Sequence, residues 1–509
     1  MTHDWKLASL DEPGIARLAE LIALHARSGD ALLLEGDLGA GKTTFARAMI
    51  RAALADDDAE VPSPTYTLVQ TYAGPRCEIA HYDLYRIADA SEVAELGLDE
   101  ALAKGIVLIE WPGRLWGVPA ADTLEIRLAD AGGDQRSVTL EARGSWQPRL
   151  ARAEAMWAFI PDAWRNARLG YLQGDASPRA YARLTDEGRS AILMNAPRMP
   201  DGPPIRNGLA YSRIAHLAED VRPFVAIGRE LRRRGIAAPE IIAEDLDQGF
   251  LLIEDQGDLP FGRALAEGAD QAVLWRAAVD VLVALRAGGP PADMVIAPGT
   301  IHRLPGFDQG ALAIETELLV DWYWPALYGV PCPADARAAF EAAWSQVFAR
   351  LLAEPSGWLL RDYHSPNLMW RPERCGLARV GVLDFQDAMS GPWAYDVVSL
   401  LQDARLDVPE ALERDLLAHY KREAAHIDTG FDPEAFDFAF AALGAQRNTK
   451  ILGIFARLAK RDGKPQYLAH LPRIWRYLER DLSALDLEGL KGWFDHHIPR
   501  SRRAERPAA

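Results

Sequence analysis

The stretch ALLLEGDLGAGKTTFARAMI, residues 31 to 50, decides the fold of the first part of this 509-residue chain. Its middle fits the pattern G-x-x-x-x-G-K-[ST], with an apolar, strand-like run before it and a helical run after it. Glycines in such a loop allow backbone N–H groups to surround phosphate oxygens, and the following helix presents its positive end to them. The lysine reaches the β- and γ-phosphates, and the hydroxyl binds Mg²⁺. The residues predicted to hold ATP or GTP are Gly36, Gly39, Gly41, Lys42, Thr43 and Thr44.

Two carboxylates follow further apolar runs of the same α/β pattern. Asp83 closes the run in CEIAHYD, and Glu110 closes the run in GIVLIE. Folds of this class place their ligand sites at strand ends, and a hydrolytic site needs a second metal ligand and a group that orients water. Both residues are therefore candidates for these functions, with the alternative that each is a solvated carboxylate capping a strand.

Several motifs of this region together resemble one family. GDLGAGKTTFAR, VPSPTYTLV, HYDLYR, ELGLDE and IEWP, in this order within residues 1–145, are similar to the TsaE ATPases that serve tRNA threonylcarbamoyladenosine synthesis. The resemblance implies that Thr43 and Asp83 lie at Mg²⁺, that Glu110 lies at the attacking water and that Trp111 lies beside the site. It also implies that Ser63, Pro64 and Thr65 form a loop that senses the nucleotide. Gly113 departs from the acidic residue that the family commonly has there.

The resemblance also implies partners. A TsaE-like ATPase would act on the threonylcarbamoyl transferase complex, formed by TsaD/TsaB-like proteins, and on tRNA only indirectly. The net charge of −17 agrees with this, because direct binding to nucleic acid depends on basic side chains. The basic surface for tRNA would then belong to the partners.

A second phosphate-handling pattern occupies WLLRDYHSPNLMW, residues 358 to 370. Asp362 and Asn367 have the D-x-x-x-x-N spacing of a phosphotransferase catalytic loop, and Asp384 follows an apolar run seventeen residues after Asn367. In such a set the first aspartate accepts the proton of the attacking hydroxyl, while the asparagine and the second aspartate hold Mg²⁺ against the phosphates of ATP. The order of a strand-rich segment and then helices favours a two-lobed, kinase-like fold.

With GDASPRAY at Gly174–Tyr181, LLIEDQGD and GPWAYDVVSLLQDAR, this pattern resembles the aminoglycoside phosphotransferase superfamily over residues 150 to 495. The nearest branch is the anomeric N-acetylmuramate/N-acetylglucosamine kinases (AmgK) of cell-wall recycling. The resemblance implies a loop over ATP that contains Gly174, Asp175 and Ser177, and an adenine-side hinge at Glu254. It implies an amino sugar as the small-molecule substrate.

This second resemblance has two departures. Met194 stands near the position of the phosphate-pairing lysine, and no lysine occurs between residues 105 and 420. Either Arg179 or Arg183 takes that function, or ATP binds differently. Leu360 replaces a histidine that usually supports the catalytic loop.

Three further features of the second half have alternative interpretations. Asp396 is expected to anchor the catalytic loop by hydrogen bonds rather than to perform chemistry. His364 either contacts the acceptor or caps the loop, and we favour the cap. The aromatic and acidic segment Glu315–Gly329 either binds a sugar ring or forms an ordinary helix that buries its tryptophans.

Composition and pattern set the organisation of the chain. The hydrophobic fraction of 49% and charged fraction of 25% are typical of a globular protein. No window has the roughly 18 apolar residues that span a bilayer, and no leader pattern is found at the N-terminus, so we expect a cytoplasmic protein that does not contact membranes. Cys77, Cys332 and Cys375 are expected to be reduced. The predicted domains are a P-loop ATPase (1–145), a junction (146–161), a kinase-like N-lobe with one helix at 210–234 (162–260), a helical C-lobe (261–497) and a disordered basic tail (498–509).

The leading hypothesis is therefore a bifunctional protein. An α/β P-loop domain is followed by a two-lobed α+β kinase-like domain, each using ATP and Mg²⁺. Two alternatives concern the second half: it phosphorylates another hydroxyl substrate, such as an aminoglycoside or a choline-like alcohol, or it is a pseudokinase that only binds partners. The missing lysine favours the pseudokinase, whereas the complete set of Asp362, Asn367 and Asp384 favours a kinase.

Overall fold

The computed structural model describes residues 3–115, 121–172, 179–505 and 507. Residues 3–145 alternate between strands and helices as the sequence predicts. The predicted strand TYTLVQTY is shorter than expected, because residues 65–68 form a turn instead. The elements are β1 (His3–Leu10), α1 (Glu12–His25), β2 (Ala31–Glu35), α2 (Lys42–Leu54), β3 (Val69–Ala73), β4 (Glu78–Asp83), α3 (Ala90–Glu95), α4 (Leu98–Lys104), β5 (Gly105–Glu110), β6 (Thr123–Gly132) and β7 (Gln135–Arg143).

The next segment contains a helix and a second set of strands. The single helix expected at 210–234 is two helices, separated by the non-helical residues 215–221. The elements are α5 (Trp146–Phe159), β8 (Arg168–Leu172), β9 (Ala180–Asp186), β10 (Arg189–Asn195), β11 (Pro204–Arg206), β12 (Leu209–Ala210), α6 (Tyr211–Ile214), α7 (Arg222–Arg233), β13 (Ile241–Asp245) and β14 (Phe250–Glu254).

The remainder is mainly helical, with short hairpins around the predicted catalytic loop. A π-helical turn at Leu319–Tyr323 precedes α11. The elements are α8 (Phe261–Ala266), α9 (Gln271–Ala287), β15 (Met294–Ala297), β16 (Thr300–His302), α10 (Gln309–Thr316), α11 (Trp324–Tyr328), α12 (Ala334–Leu351), β17 (Ser356–Leu359), β18 (Leu368–Trp370), β19 (Val380–Val382), β20 (Met389–Pro392), α13 (Ala394–Leu401), α14 (Glu410–Ile427), α15 (Pro433–Asp462), α16 (Leu471–Asp481), α17 (Glu488–His497) and α18 (Arg500–Arg503).

The chain divides into two compact units that do not follow the predicted domain limits. The first unit contains Met1–Pro197 and Ile241–Asp255, and the second contains Arg198–Glu240 and Gln256–Ala509. The segment with α7 belongs to the second unit because Phe224 stacks on Phe385, with ring centroids 4.7 Å apart.

Two sheets form the framework of the first unit. The larger has seven strands in the order β1-β7-β6-β2-β5-β4-β3, in which β6, β2, β5 and β4 are parallel neighbours. The smaller has five antiparallel strands in the order β13-β14-β10-β9-β8. The parallel strands are almost continuously apolar, as buried parallel strands require.

One hydrophobic core joins these two sheets. It contains Trp5 and Leu18 from the first 145 residues together with Leu184, Leu193 and Phe250 from the five-stranded sheet. Helix α5 packs against α1, and β8 packs against α1 and α2. The predicted junction is therefore not a loose linker, since its helix is part of this core.

Polar contacts reinforce the shared core. Arg149 of α5 donates to both carboxylate oxygens of Asp30, over 2.6 and 2.7 Å, and both side chains are buried. The buried carboxylate of Glu20 accepts from the backbone N–H of Leu169 over 2.8 Å, which fixes β8 against α1.

The expectation of a disordered tail from residue 498 is wrong for residues 498–505. Arg503 in α18 is only 8% exposed, because its guanidinium donates to the carbonyl of Ile498 and pairs with Glu479 and Asp495. The pairs with Glu479 and Asp495 hold this helix against α16 and α17. The three cysteines are free, as predicted, and no helix among the described residues is both long and apolar enough for a bilayer.

Candidate active sites

The first candidate site is the glycine loop between β2 and α2. Gly36 has φ +147°, and a Cβ there would lie 2.4 Å from the carbonyl oxygen of Leu128, so only glycine fits. Gly41 (φ 103°) is the N-cap of α2 and starts the helix without a side chain over its N–H groups. The loop therefore leaves backbone donors and the positive helix end available for an anion.

A cavity of about 360 Å³ lies beside this loop. It brings together the loop and the two carboxylates that the sequence singles out. Its lining is formed by Leu38, Gly39, Gly41, Lys42, Thr43, Thr44, Ser63, Thr65, Asp83, Tyr85, Glu110 and Trp111.

Lys42 is folded onto its own loop. Its ammonium donates to the carbonyls of Gly36 and Asp37, over 2.7 and 2.9 Å, and lies 3.8 Å above the ring of Trp111. Burial lowers the pKa of Lys42, while the carboxylates of Glu110 and Asp83 act in the opposite direction. An ammonium with such weak partners is ready to exchange carbonyl oxygens for phosphate oxygens.

Glu110 is the centre of a buried polar group. Its carboxylate accepts from the hydroxyl of Thr43, over 3.0 and 3.1 Å, and lies 3.0 Å from Nε2 of His81. Glu110 is 2% exposed and His81 is fully buried. Thr43 gives its hydrogen to the carboxylate, which leaves its oxygen lone pairs for a metal ion.

Asp83 lies next to Glu110 because β4 and β5 are parallel neighbours that pair these two residues in register. Its Oδ2 accepts from the hydroxyls of Thr65 and Ser63, over 2.6 and 3.3 Å. Its Oδ1 accepts from the backbone N–H of Tyr85. The segment expected to sense the nucleotide thus contacts the expected metal ligand directly.

The second candidate site lies in the second unit, at the loops after β17 and β19. Arg361 and Asp384 have φ values of 72° and 55°, a left-handed conformation that is uncommon outside glycine and clusters at functional sites. Nδ2 of Asn367 donates to the carbonyl of Asp362 over 2.9 Å and lies 3.4 Å from Oδ2 of Asp384. Gln386 donates to Oδ1 of Asp384 over 2.7 Å.

This arrangement suits a hard metal ion. Because Nδ2 of Asn367 is used as a donor, its Oδ1 is the atom that can act as a ligand. Mg²⁺ is typically held by one or two protein oxygens together with phosphates, which agrees with the pair Asn367 and Asp384. No group of three or more acidic, cysteine or histidine side chains placed to hold a metal occurs among the described residues.

Each part of the chain matches a known protein family. Residues 10–138 match the family model for threonylcarbamoyl adenosine biosynthesis protein TsaE, and residues 168–438 match the phosphotransferase enzyme family. The chain belongs to both of these families. The chain is therefore a TsaE domain joined to a phosphotransferase that uses an alcohol group as acceptor.

Individual relatives cover each half. An N-acetylmuramate/N-acetylglucosamine kinase of Caulobacter vibrioides is 38% identical over 358 residues, which are 68% of this chain and 97% of that protein. One of Pseudomonas aeruginosa is 35% identical over 335 residues, 65% of this chain and 87% of that protein. The tRNA threonylcarbamoyladenosine biosynthesis protein TsaE of Rickettsia conorii is 38% identical over 120 residues, 24% of this chain and 68% of that protein.

In the phosphotransferase part, Asp396 anchors the catalytic loop as predicted. Its buried carboxylate accepts from the backbone N–H groups of Leu360 and Arg361, over 2.5 and 2.9 Å. Burial raises the pKa of Asp396 to about 7, against the effect of these hydrogen bonds. Leu360, which replaces the usual histidine, supports the loop through its backbone and a buried side chain.

The buried carboxylate of Glu315 supports the same loop from α10. It pairs with Arg361 and with Lys450, the latter at 2.7 Å, and accepts from Gln446 over 3.0 Å. Burial would raise the pKa of Glu315, but the charges of Lys450 and Arg361 outweigh burial and hold it at about 2. Glu315 therefore has a structural function in the phosphotransferase.

The aromatic segment that follows Glu315 is mainly packing. Tyr323 and Trp324 are buried, and the Tyr323 hydroxyl accepts from Nε1 of Trp475 over 2.9 Å. The interpretation as a helix that buries its aromatic residues therefore holds for these two residues, and sugar stacking on them is wrong.

His364 caps the turn at Ser365–Asn367, but with its backbone rather than its side chain. No side-chain hydrogen bond caps the turn at Ser365–Asn367, and the backbone carbonyl of His364 accepts from Asn367 instead. Nδ1 of His364 is buried without a hydrogen-bond partner among the described residues. Burial lowers the pKa of this imidazole to about 4.

In the first unit, the sheet of the phosphotransferase has an arginine on the face where a lysine is expected. Met194 pairs with Tyr181 across β9 and β10, and Arg183 pairs with Ile192. Their neighbours face the shared core, so Arg183 and Met194 lie on the opposite face. Nε of Arg183 lies 2.7 Å from the carboxylate of Asp255.

The structure leaves part of the predicted nucleotide site untested. Gly174, Asp175 and Ser177 lie outside the described residues. Glu254 ends β14, where it is paired with Ala191, next to Asp255.

His81 is a residue that the sequence interpretation did not single out. The signal was present, because a histidine interrupts the apolar run EIAHYD two residues before Asp83. Side chains two apart on a strand share a face, so His81 faces the same way as the carboxylate.

Proposed function

We propose that this chain is a bifunctional enzyme, an ATPase that supports tRNA N6-threonylcarbamoyladenosine modification joined to a kinase of amino sugars. The acceptors are N-acetylmuramate and N-acetylglucosamine, phosphorylated at the anomeric hydroxyl in cell-wall recycling. One observation carries the proposal: two separate polar clusters are present, one around Lys42 and Glu110 in the first unit and one around Asn367 and Asp384 in the second. The names of the relatives at 38% and 35% identity supply the acceptors.

In the ATPase, the glycine loop and Lys42 bind the triphosphate of ATP, and Trp111 lies beside it. Thr43 and Asp83 hold Mg²⁺, which neutralises charge on the phosphates when bound. Glu110 orients the attacking water and takes its proton. The hydrogen bond from Thr43 to Glu110 couples the metal ligand to this base.

In the kinase, Asp362 accepts the proton of the acceptor hydroxyl. Asn367 and Asp384 hold Mg²⁺, and Gln386 fixes the carboxylate of Asp384. Asp396 keeps the loop in place through two backbone N–H groups. Positioning of this kind accounts for most of the rate in phosphoryl transfer, because the protein does little covalent chemistry.

In the kinase, Arg183 is the cation that binds the phosphates of ATP. A kinase lysine is normally held by a carboxylate partner, and Asp255 holds Arg183 in the same manner. Arg183 also shares the face of the sheet with Met194, where the lysine is expected. The loop with Gly174, Asp175 and Ser177, and the hinge at Glu254, complete this ATP site.

TsaD/TsaB-like proteins are the partners of the ATPase in this proposal, and tRNA is reached only through them. The net charge of −17 supports indirect rather than direct contact with tRNA. Since ATP and tRNA are cytoplasmic molecules, the proposed location is the cytoplasm.

Two substitutions in the full-length chain test the proposal. Lys42→Ala is expected to abolish ATP hydrolysis in the absence of sugar and to leave phosphorylation of N-acetylmuramate unchanged. Asp362→Asn is expected to have the reverse effect. If either variant loses both activities while keeping the wild-type melting temperature, the two sites are not independent and the proposal fails.

A pseudokinase is the second candidate, favoured by the absence of a lysine on β10. Phosphorus NMR of the full-length chain with Mg²⁺–ATP and a panel of amino sugars, aminoglycosides and choline-like alcohols distinguishes the candidates. Phosphate on an anomeric oxygen supports the amino-sugar kinase, phosphate on another alcohol changes the substrate class, and no transfer to any acceptor supports the pseudokinase.

A further inference from the structure

Arg447 is a buried cation whose hydrogen-bonding capacity is not filled. It lies in the middle of α15 and is 6% exposed. Its Nη1 atom is buried with no hydrogen-bond partner among the described residues. Buried charged groups are normally paired and hydrogen-bonded, because desolvation is costly. Nη1 of this buried guanidinium therefore lacks an acceptor among the described residues.

The donor groups of Gln446, Asn448 and Lys450, the polar neighbours of Arg447 on the same helix, are paired. Lys450, one turn further along α15, donates to Glu315 over 2.7 Å. Gln446 donates to the other oxygen of Glu315 over 3.0 Å. Asn448 donates to Gln402 over 2.7 Å. Oε1 of Gln446 and Oδ1 of Asn448 are, like Nη1 of Arg447, buried without a partner among the described residues. These oxygens are acceptors, so Arg447 is the unfilled cation of residues 446–450.

Carboxylates of the second unit near Arg447 are already engaged. Glu315 binds Arg361, Lys450 and Gln446. Asp396 accepts two backbone N–H groups of the catalytic loop. Both of these carboxylates are therefore occupied by other donors, which leaves a ligand to supply the acceptor for Nη1 of Arg447.

Arg447 lies beside the loop that carries the catalytic base. Helix α15 packs against α13, which holds Asp396 under that loop. Burial raises the pKa of Asp396 and lowers the pKa of His364. The charge of Arg447 lowers both pKa values. His364 lies two residues from Asp362 and also has a buried nitrogen, Nδ1, without a partner among the residues described. Both unfilled polar groups are therefore next to the catalytic loop.

The two proposed acceptors differ in whether they carry a negative charge that the guanidinium of Arg447 could bind. N-acetylmuramate is an amino sugar with a lactyl ether that ends in a carboxylate, whereas N-acetylglucosamine has a hydroxyl at that position. A guanidinium offers paired donors that match the geometry of a carboxylate. A buried guanidinium therefore distinguishes the two sugars.

We propose that Arg447 binds the carboxylate of a muramate-type acceptor and makes this sugar the preferred substrate. The inference rests on the proposed amino-sugar kinase and adds a residue that selects between its acceptors. Arg447 is a specificity residue in this account, and Asp362 remains the base.

The test compares acceptors with the full-length wild type and with Arg447→Met. Wild-type kcat/KM is expected to be about 10- to 100-fold higher for N-acetylmuramate than for its methyl ester, as for a hydrogen bond to a charged group. Arg447→Met should lose that advantage for N-acetylmuramate and change N-acetylglucosamine less than about threefold. The exposed Arg461→Met, on the same helix, is the matched control and should retain the wild-type preference.

Several outcomes would overturn the inference. Equal losses with both sugars would place Arg447 at the transferred phosphate or in the fold, and equal use of the acid and the ester by the wild type would exclude carboxylate recognition. The ester comparison needs no variant, so the inference stays testable if Arg447→Met does not fold. A wild type that phosphorylates neither sugar contradicts the proposed function itself, and this result differs from the other two.

Discussion

His81 lies directly behind the proposed base of the ATPase, with its Nε2 3.0 Å from Oε1 of Glu110. Both side chains are buried, and Nδ1 of His81 has no partner among the described residues. With hydrogen on Nε2, the imidazole donates to Glu110 and its Nδ1 is left as an acceptor. His81 therefore orients Glu110, and Thr43 donates to the same carboxylate.

Substituting His81 tests this orientation. His81→Leu is expected to lower kcat for ATP hydrolysis about 10- to 100-fold, the usual effect of losing a partner that orients a reacting group. KM for ATP should change little, because His81 lies outside the cavity lining. His81→Gln, which keeps a donor, should recover part of kcat. Equal losses in both variants, or a loss confined to KM, would contradict an orienting function.

The Arg183–Asp255 pair gives a prediction for the kinase. Arg183→Met should raise KM for ATP about tenfold, because a charged hydrogen bond to phosphate is lost. Asp255→Asn should have a smaller effect in the same direction, since the arginine stays but is less well held. Arg189→Met, in the adjacent strand and half-exposed, is the control and should leave KM unchanged. An unchanged KM in Arg183→Met would assign the phosphates to another group.

Asp396 predicts a pH dependence of stability. Its folded-state pKa of about 7 lies above the unfolded value of about 3.8, so the folded state binds the proton more tightly. The free energy of unfolding should therefore decrease as pH rises from about 4 to about 7 and then level off. Asp396→Asn cannot titrate and should show less of this decrease in thermal melts. An identical pH profile for both proteins would contradict the assignment.

The buried pair Arg149–Asp30 predicts that the two activities share one stability. Arg149→Met leaves Asp30 buried without its partner, which costs about 3–5 kcal/mol, and both ATP hydrolysis and sugar phosphorylation should fail at the same lower temperature. Arg127→Met removes ion pairs of an arginine whose side chain is 43% exposed and should cost less than about 1 kcal/mol. Separate melting temperatures for the two activities in Arg149→Met would contradict a common core.

The sequence was sufficient for the parts of the fold that local patterns determine. Glycine spacing predicted the loop at Gly36–Thr43, and strand ends placed Asp83 and Glu110 together, because parallel strands bring their carboxyl ends to one edge. Spacing likewise predicted that Asn367 and Asp384 share a site, and their side chains lie 3.4 Å apart. Long-range packing was not predictable. The sequence pattern indicates only a junction at helix α5, but the apolar residues of this helix pack into a core formed by residues far apart in the sequence.

Buried polar groups were the hardest features to predict. In the sequence, Arg447 is an ordinary charged residue within a helix. Only the structure shows that it is buried and that its Nη1 has no partner among the described residues. Arg503 likewise reads as part of a basic tail, but three acceptors hold it in place. Such residues depend on tertiary neighbours that periodicity does not specify.

The core shared by the seven-stranded and five-stranded sheets has a consequence for the cell. A destabilising substitution anywhere in that core lowers the amount of both active sites together, because unfolded protein is removed as one chain. The ratio of ATPase to kinase is thereby fixed at one to one, whatever the supply of either substrate. Selection on either activity then protects the other, so a loss of demand for sugar phosphorylation would not release the core residues of β8, β9 and β10 to vary freely.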